Sequence, residues 1–117
     1  MGKVTLRKAI VFVSLAAALL TFSFMAEAGT LTITNNSGYD IHELYISASG
    51  AQSWGPDLLG EYYLENGDEH EVMIPNYDQF DVKIVDDSGN WTDWRGIPGV
   101  VVRFYVDRNR QARWEWN

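Results

Sequence analysis

Val101-Val102-Arg103-Phe104-Tyr105-Val106-Asp107-Arg108-Asn109-Arg110-Gln111-Ala112-Arg113-Trp114-Glu115-Trp116 has the form of a β-hairpin whose register can be tested by side-chain parity. A two-residue turn on Asn109-Arg110 would set Phe104 against Glu115 and Val106 against Arg113, apolar groups opposite charges. Centring the reversal on Asn109 instead gives a three-residue loop, Arg108-Asn109-Arg110. One face then pairs Val102 with Trp116, Phe104 with Trp114 and Val106 with Ala112, while the other pairs Arg103 with Glu115 and Tyr105 with Arg113. Both faces become chemically consistent, because directly opposed residues on a ribbon share one side of it. This register puts Trp114 and Trp116 in the core.

The same two-residue period runs back through the chain. Thr30 to Thr34 alternates hydroxyl and aliphatic groups, and Asn35-Asn36-Ser37-Gly38 supplies a turn. Tyr39 to Ser47 carries Leu44 and Ile46 on one face with Ile41 and Tyr45 on the other, the sign of a central strand or a bulge. Ser49 to Gly60 is irregular. Glu61 to Leu64 and Glu69 to Pro75 form two strands that Asn66-Gly67 would join as a hairpin. Gln79 to Asp86 has Phe80, Val82 and Ile84 facing one way and Asp81 and Lys83 the other, before a turn at Asp87-Ser88-Gly89-Asn90 and a short strand from Trp91 to Arg95. Seven or eight short strands, frequent turn signals and no helical period predict an all-β fold, a single antiparallel β-sandwich, with a small closed barrel as the alternative.

Residues 1–28 follow a different logic. Lys3, Arg7 and Lys8 precede an apolar run from Ala9 to about Phe24, and Ala26-Glu27-Ala28 sets small residues at the −3 and −1 positions of a cleavage site. A membrane anchor is the competing reading, but Ser14, Thr21 and Ser23 dilute the run and no basic cluster follows it. The expected organisation is a cleavable signal helix over residues 1–28 and one domain over residues 29–117, periplasmic or secreted. Those first residues hold three of the basic groups and one acidic group. The remainder therefore keeps 15 Asp and Glu against 6 Lys and Arg, a formal net charge of −9. Such acidity disfavours nucleic acid, which needs a basic footprint. With no cysteine, the fold has no disulfide to rest on, and five Trp and six Tyr are the expected substitute.

Reactive groups are sparse. His42 and His70 lie far apart and outside any metal-ligand spacing. No serine sits in a nucleophile elbow, and no glycine-rich phosphate loop is present. Asp68 with Glu69 and Asp86 with Asp87 are adjacent on the chain and point apart on a strand. Two ligand-binding options stand out: calcium at Asp86, Asp87 and Asn90 with Asp93 nearby, and a glycan on Trp54 or on one of Trp91 and Trp94, whose spacing puts them on opposite faces. The calcium loop spacing is incomplete, so no metal, cofactor or catalytic residue is assigned. The expected function is a non-enzymatic interaction module of the cell envelope or exterior, meeting a protein or glycan partner through the Ser49–Gly60 loop or a free sheet edge. The alternative is a calcium- or glycan-binding domain.

Three separated elements carry a family likeness. Asn35-Asn36-Ser37-Gly38-Tyr39-Asp40-Ile41 with Leu44-Tyr45-Ile46-Ser47, then Trp54-Gly55-Pro56-Asp57-Leu58-Leu59-Gly60, then Phe80-Asp81-Val82-Lys83-Ile84-Val85-Asp86-Asp87-Ser88-Gly89, occur in that order. Together they resemble an uncharacterised family of small bacterial exported β-domains, with Ala48 standing where that family usually has proline. The resemblance implies an exported β-domain with no assigned catalytic residues. Some members carry an argininosuccinate-lyase label, which a strand-rich domain of this size does not justify. Read physically, the shared loop is expected to be structural, with Trp54 and Leu58 or Leu59 plugging one end of the sandwich.

Overall fold

A computed structural model describes residues 3–5 and 28–117. The expected signal helix falls on residues outside this set. Nine strands follow in order: β1 (Val4–Thr5), β2 (Ala28–Asn35), β3 (Ile41–Ala48), β4 (Tyr62–Tyr63), β5 (Glu69–Pro75), β6 (Gln79–Asp86), β7 (Trp91–Pro98), β8 (Val101–Val106) and β9 (Ala112–Trp116). One sheet has the order β5-β2-β8-β9 and the other β3-β6-β7, while β1 and β4 make a short parallel pair. The two larger sheets form an unclosed sandwich, so the closed-barrel alternative does not apply.

Alternation explains what lies between the sheets. Leu31 and Ile33 of β2, Leu44 and Ile46 of β3, Val72 and Ile74 of β5, Phe80, Val82 and Ile84 of β6, and Phe104 and Val106 of β8 are all buried in one cluster. Their polar neighbours in sequence point away, as a period of two requires. Ile41 breaks the period yet is fully buried, because a bulge between Ile41 and Glu43 returns it to the inner face. The both-faces pattern of that strand therefore marks a bulge, at the edge of its sheet.

Four expectations are corrected. The sandwich is not wholly antiparallel: β2 and β8 run parallel, with Ile33 opposite Phe104. Leu64 pairs with Ile41 of one sheet while β5 pairs with β2 of the other, so Asn66-Gly67 does not close a hairpin but carries the chain between sheets. Gly67 there adopts φ 93° and donates its N–H to the Asn35 carbonyl. In the terminal hairpin the expected pairs hold from Val106↔Ala112 to Arg103↔Glu115, and the loop is Arg108–Arg110 with Asn109 and Arg110 at positive φ. Beyond Arg103 a bulge at Val102 substitutes Val101 as the partner of Trp116. Trp114 and Trp116 are 37% and 58% exposed, because β9 is, among the described residues, the end strand of its sheet and pairs only with β8. Trp114 instead stacks on Phe104, rings 6.0 Å apart and 5° from parallel.

His70 points inward on β5, opposite Ile33, and burial holds its imidazole below the ordinary pKa of 6.5. The unfolded chain therefore binds the proton more readily than the folded one. Stability should be full above about pH 6.5 and fall as the pH drops from there through the lower folded value. Denaturant titrations across that interval should show this slope in the wild type and lose it in His70→Gln. An unchanged slope in the variant would mean that the carboxylates, not His70, govern acid sensitivity.

Candidate aromatic and cationic surface

The outer face of β3-β6-β7 gathers the aromatic residues that the core leaves out. Lys83 of β6 stands opposite Tyr45 of β3 and Asp93 of β7, and Val85 stands opposite Glu43 and Trp91. The Lys83 ammonium lies 5.0 Å from the Trp91 ring centre, 5.6 Å from Tyr45 and 6.0 Å from Trp54, all within cation–π reach. The Arg95 guanidinium sits 5.1 Å from the Trp54 ring. Trp91 is 56% exposed. Trp94, three residues on, faces inward and meets Phe104 edge-on with ring centres 5.4 Å apart, as the odd spacing predicts.

Two carboxylates, Asp81 and the partly buried Asp57, hold this face in shape. Asp81 is 3% exposed, and its carboxylate accepts bonds from Ser49 Oγ at 2.7 Å, Gly96 N at 2.8 Å and Arg95 Nη1 at 3.5 Å. It thus ties the start of the 49–60 loop to the bulge of β7. Arg95 Nε also donates to Asp93 at 2.7 Å. Asp57 does the same for the far end of the loop: its Oδ1 accepts Leu44 N and Leu59 N, both at 3.0 Å, while Leu58 N donates to the Leu44 carbonyl. Leu59 is buried in the core and Leu58 packs against it. The loop is therefore a plug through its leucines, whereas Trp54 is not part of it and lies over the outer face beside Arg95 and Lys83.

Next to Trp54 and Arg95 is a shallow cleft of about 150 Å³, also lined by Ser47, Ala51, Gln52 and Ser53. It is below the range of about 300 to 1,000 Å³ that encloses a small molecule, and it suits one protruding group of a longer ligand. The Tyr45 hydroxyl donates to Glu43, and this bond, with burial and the charges of Glu43 and Asp57, pushes its pKa up to about 12. The phenol stays neutral at any physiological pH.

The other sequence candidates do not converge. His42 stacks on Tyr63 at 5.3 Å, and its carbonyl accepts a bond from Lys3, whose ammonium also contacts Asp57 at 2.7 Å. Asp86 Oδ1 is engaged by Ser88 N and Asn90 N at 2.9 and 3.0 Å, closing its own turn, and Asp93 is turned to Arg95. Asp87 is exposed. Glu69 faces Arg103 at 3.7 Å. Among the described residues no three His, Asp or Glu side chains come together as a cation would need. No described helix is long and apolar enough to cross a membrane.

Sequence reasoning placed Lys83 on an outward position, Trp91 and Trp94 on opposite faces without saying which faced out, and Trp54 in the loop, but it missed Asp57 and Asp81. Both looked like ordinary solvent-facing carboxylates, and the one signal for them was their place in the family-like motifs.

No family model and no curated protein matches this chain. Among solved structures, the NMR structure of a protein from Eubacterium rectale is similar over 77% of this chain and 88% of that one, with a TM-score of 0.52 and 13% identity. The likeness is one of fold.

Proposed function

We propose that this chain is an exported, non-catalytic binding module of the cell envelope or exterior, and that it holds neutral glycan chains on the outer face of β3-β6-β7. The observation that carries this reading is the set of Tyr45, Trp54 and Trp91 rings around Lys83, with Trp91 largely open to solvent. An aromatic face is apolar and flat, and it packs on the C–H face of a sugar ring as it packs on any apolar surface. Lys83 and Arg95 share this face with three carboxylates, Glu43, Asp81 and Asp93, so the surface offers donors and acceptors without a net positive charge for an anionic ligand. The shallow cleft beside Trp54 suits a branch or a chain end of a ligand lying across the sheet.

Export follows from the leader-like residues 1–28 and has a structural consequence. Cleavage after Ala28 would take away β1 and Lys3, and with them the β1–β4 pairing and the Lys3–Asp57 ion pair.

The test is a glycan array followed by calorimetry on the best neutral hit. Trp91→Ala should weaken binding about tenfold or more, which corresponds to about 1.4 kcal/mol, while thermal stability stays near the wild type because Trp91 is exposed. Trp54→Ala should weaken it as well. Silence of the wild type across neutral glycans, or capture of anionic glycans only, would overturn the reading.

A further inference from the structure

β9 is a free edge unlike the others. β5 ends in Pro75 and carries Glu69 and Glu71 outward, β7 is bulged and ends in Pro98, and β3 is bulged and covered by Leu58 and Leu64. These are devices that stop strands from adding to an edge. Among the described residues β9 has no proline, no bulge and no covering segment, its two charges are of opposite sign, and two of its five residues are the exposed Trp114 and Trp116. The strand is also electrically neutral, with one Arg and one Glu, in a chain of formal net charge −7.

We infer that β9 is a dimerisation edge, on which a second copy of this chain adds its own β9 antiparallel, with Trp114 of the two copies facing each other across the two-fold axis. The backbone fixes which registers are allowed. Asp107 N bonds to Gln111 O, so Asp107 and Gln111 are a hydrogen-bonded pair of the β8–β9 ladder. Alternation then turns the N–H and C=O of Arg113 and Glu115 toward β8, and those of Ala112, Trp114 and Trp116 toward the open side.

A second β9 can therefore bond only through Ala112, Trp114 and Trp116, which leaves three overlapping registers. Centring the axis on Arg113 sets two arginines against each other, and centring it on Glu115 opposes two glutamates. Centring it on Trp114 pairs Arg113 with Glu115 twice, Ala112 with Trp116 twice, and Trp114 with itself. Only that register places opposite charges on one face and apolar groups on the other. The side chains of Arg113 and Glu115 are 58% and 53% exposed and so have room for the second partner, although each already has one in its own chain. The joined sheet would run through eight strands, β5-β2-β8-β9 and the same four reversed. It lies away from the outer face of β3-β6-β7, so the dimer and the glycan reading stand or fall separately.

The experiment is sedimentation equilibrium on the purified protein and on two charge variants, each checked for folding by circular dichroism. The wild type should be dimeric. Arg113→Glu and Glu115→Arg should each raise the dissociation constant about tenfold or more, since each sets like charges opposite one another twice. Mixing the two variants in equal amounts should restore dimers, because the all-acidic strand of one copy meets the all-basic strand of the other. A role of these residues confined to their own hairpin predicts no such rescue. A wild type that remains monomeric near 1 mM, where the association free energy is only about 4 kcal/mol, or a mixture that stays monomeric, overturns the proposal.

Discussion

Asn35→Asp should cost about 3 to 5 kcal/mol at neutral pH, although it changes one NH2 group to an oxygen. Asn35 is fully buried at the end of β2. Its Nδ2 donates to the carbonyls of Tyr39 and Leu64 at 2.8 and 3.0 Å, and its Oδ1 accepts Ser37 N at 3.0 Å and Ser37 Oγ at 2.6 Å. Its backbone bonds Asp68 O and Gly67 N. One residue thus joins the β2–β3 turn, the Leu64 bridge and the passage between sheets. Aspartate would turn a negative oxygen toward two carbonyls and take one donor from each, leaving the Leu64 carbonyl with Ile41 N and the Tyr39 carbonyl with Ser37 Oγ. Burial would raise the folded-state pKa of that carboxyl above its unfolded value, so the variant's deficit should shrink as the pH falls, when a protonated acid again supplies one donor. The check is denaturant unfolding of wild type and variant at neutral and mildly acidic pH, read as the difference between them. A loss below about 1 kcal/mol at neutral pH, the worth of one ordinary hydrogen bond, would mean that Asn35 is not the junction described.

Phe104→Ala should cost a similar amount, about 3 to 5 kcal/mol, out of a total of about 5 to 15 kcal/mol for a domain of this kind. Phe104 is fully buried, sits opposite Ile33 on β2, meets Trp94 of the other sheet edge-on, and supports the stacked Trp114 of β9. Its removal opens a cavity where the two sheets touch and leaves the exposed Trp114 without the ring that holds it. Phe104→Leu, which keeps most of the volume, should lose only about 1 kcal/mol. Tryptophan fluorescence during urea unfolding reads both quantities. Equal losses in the two variants would show that the ring, through its aromatic contacts, matters more than the space it fills.

These two residues also mark how far the sequence could be read. Phe104 was legible: its alternation with Tyr105 and Arg103 and the match to Trp114 put it inside, and it is inside. Asn35 was read as turn chemistry, which is true of its neighbours, and nothing local shows that its amide is the buried tie between two sheets. Asp57 and Asp81 escaped for the same reason, since the backbone N–H groups they tie down, Leu44 and Gly96, are brought to them only by the tertiary fold. Trp54 has the opposite history: the expected plug is formed by Leu59, and the ring went to the outer face, where Arg95 and Lys83 receive it.

By itself the sequence determined the all-strand character, nearly every inside and outside assignment, and four of the five expected pairs of the last hairpin. Those follow from the fixed two-residue period of an extended backbone and from turn residues acting on their immediate neighbours. Tertiary structure decided that β2 and β8 run parallel, that Asn66-Gly67 links two sheets, that Val102 bulges out, and that Trp114 and Trp116 face solvent. Each of these depends on which strand lies alongside or above, and a contact between distant parts of the chain leaves no trace in a local pattern.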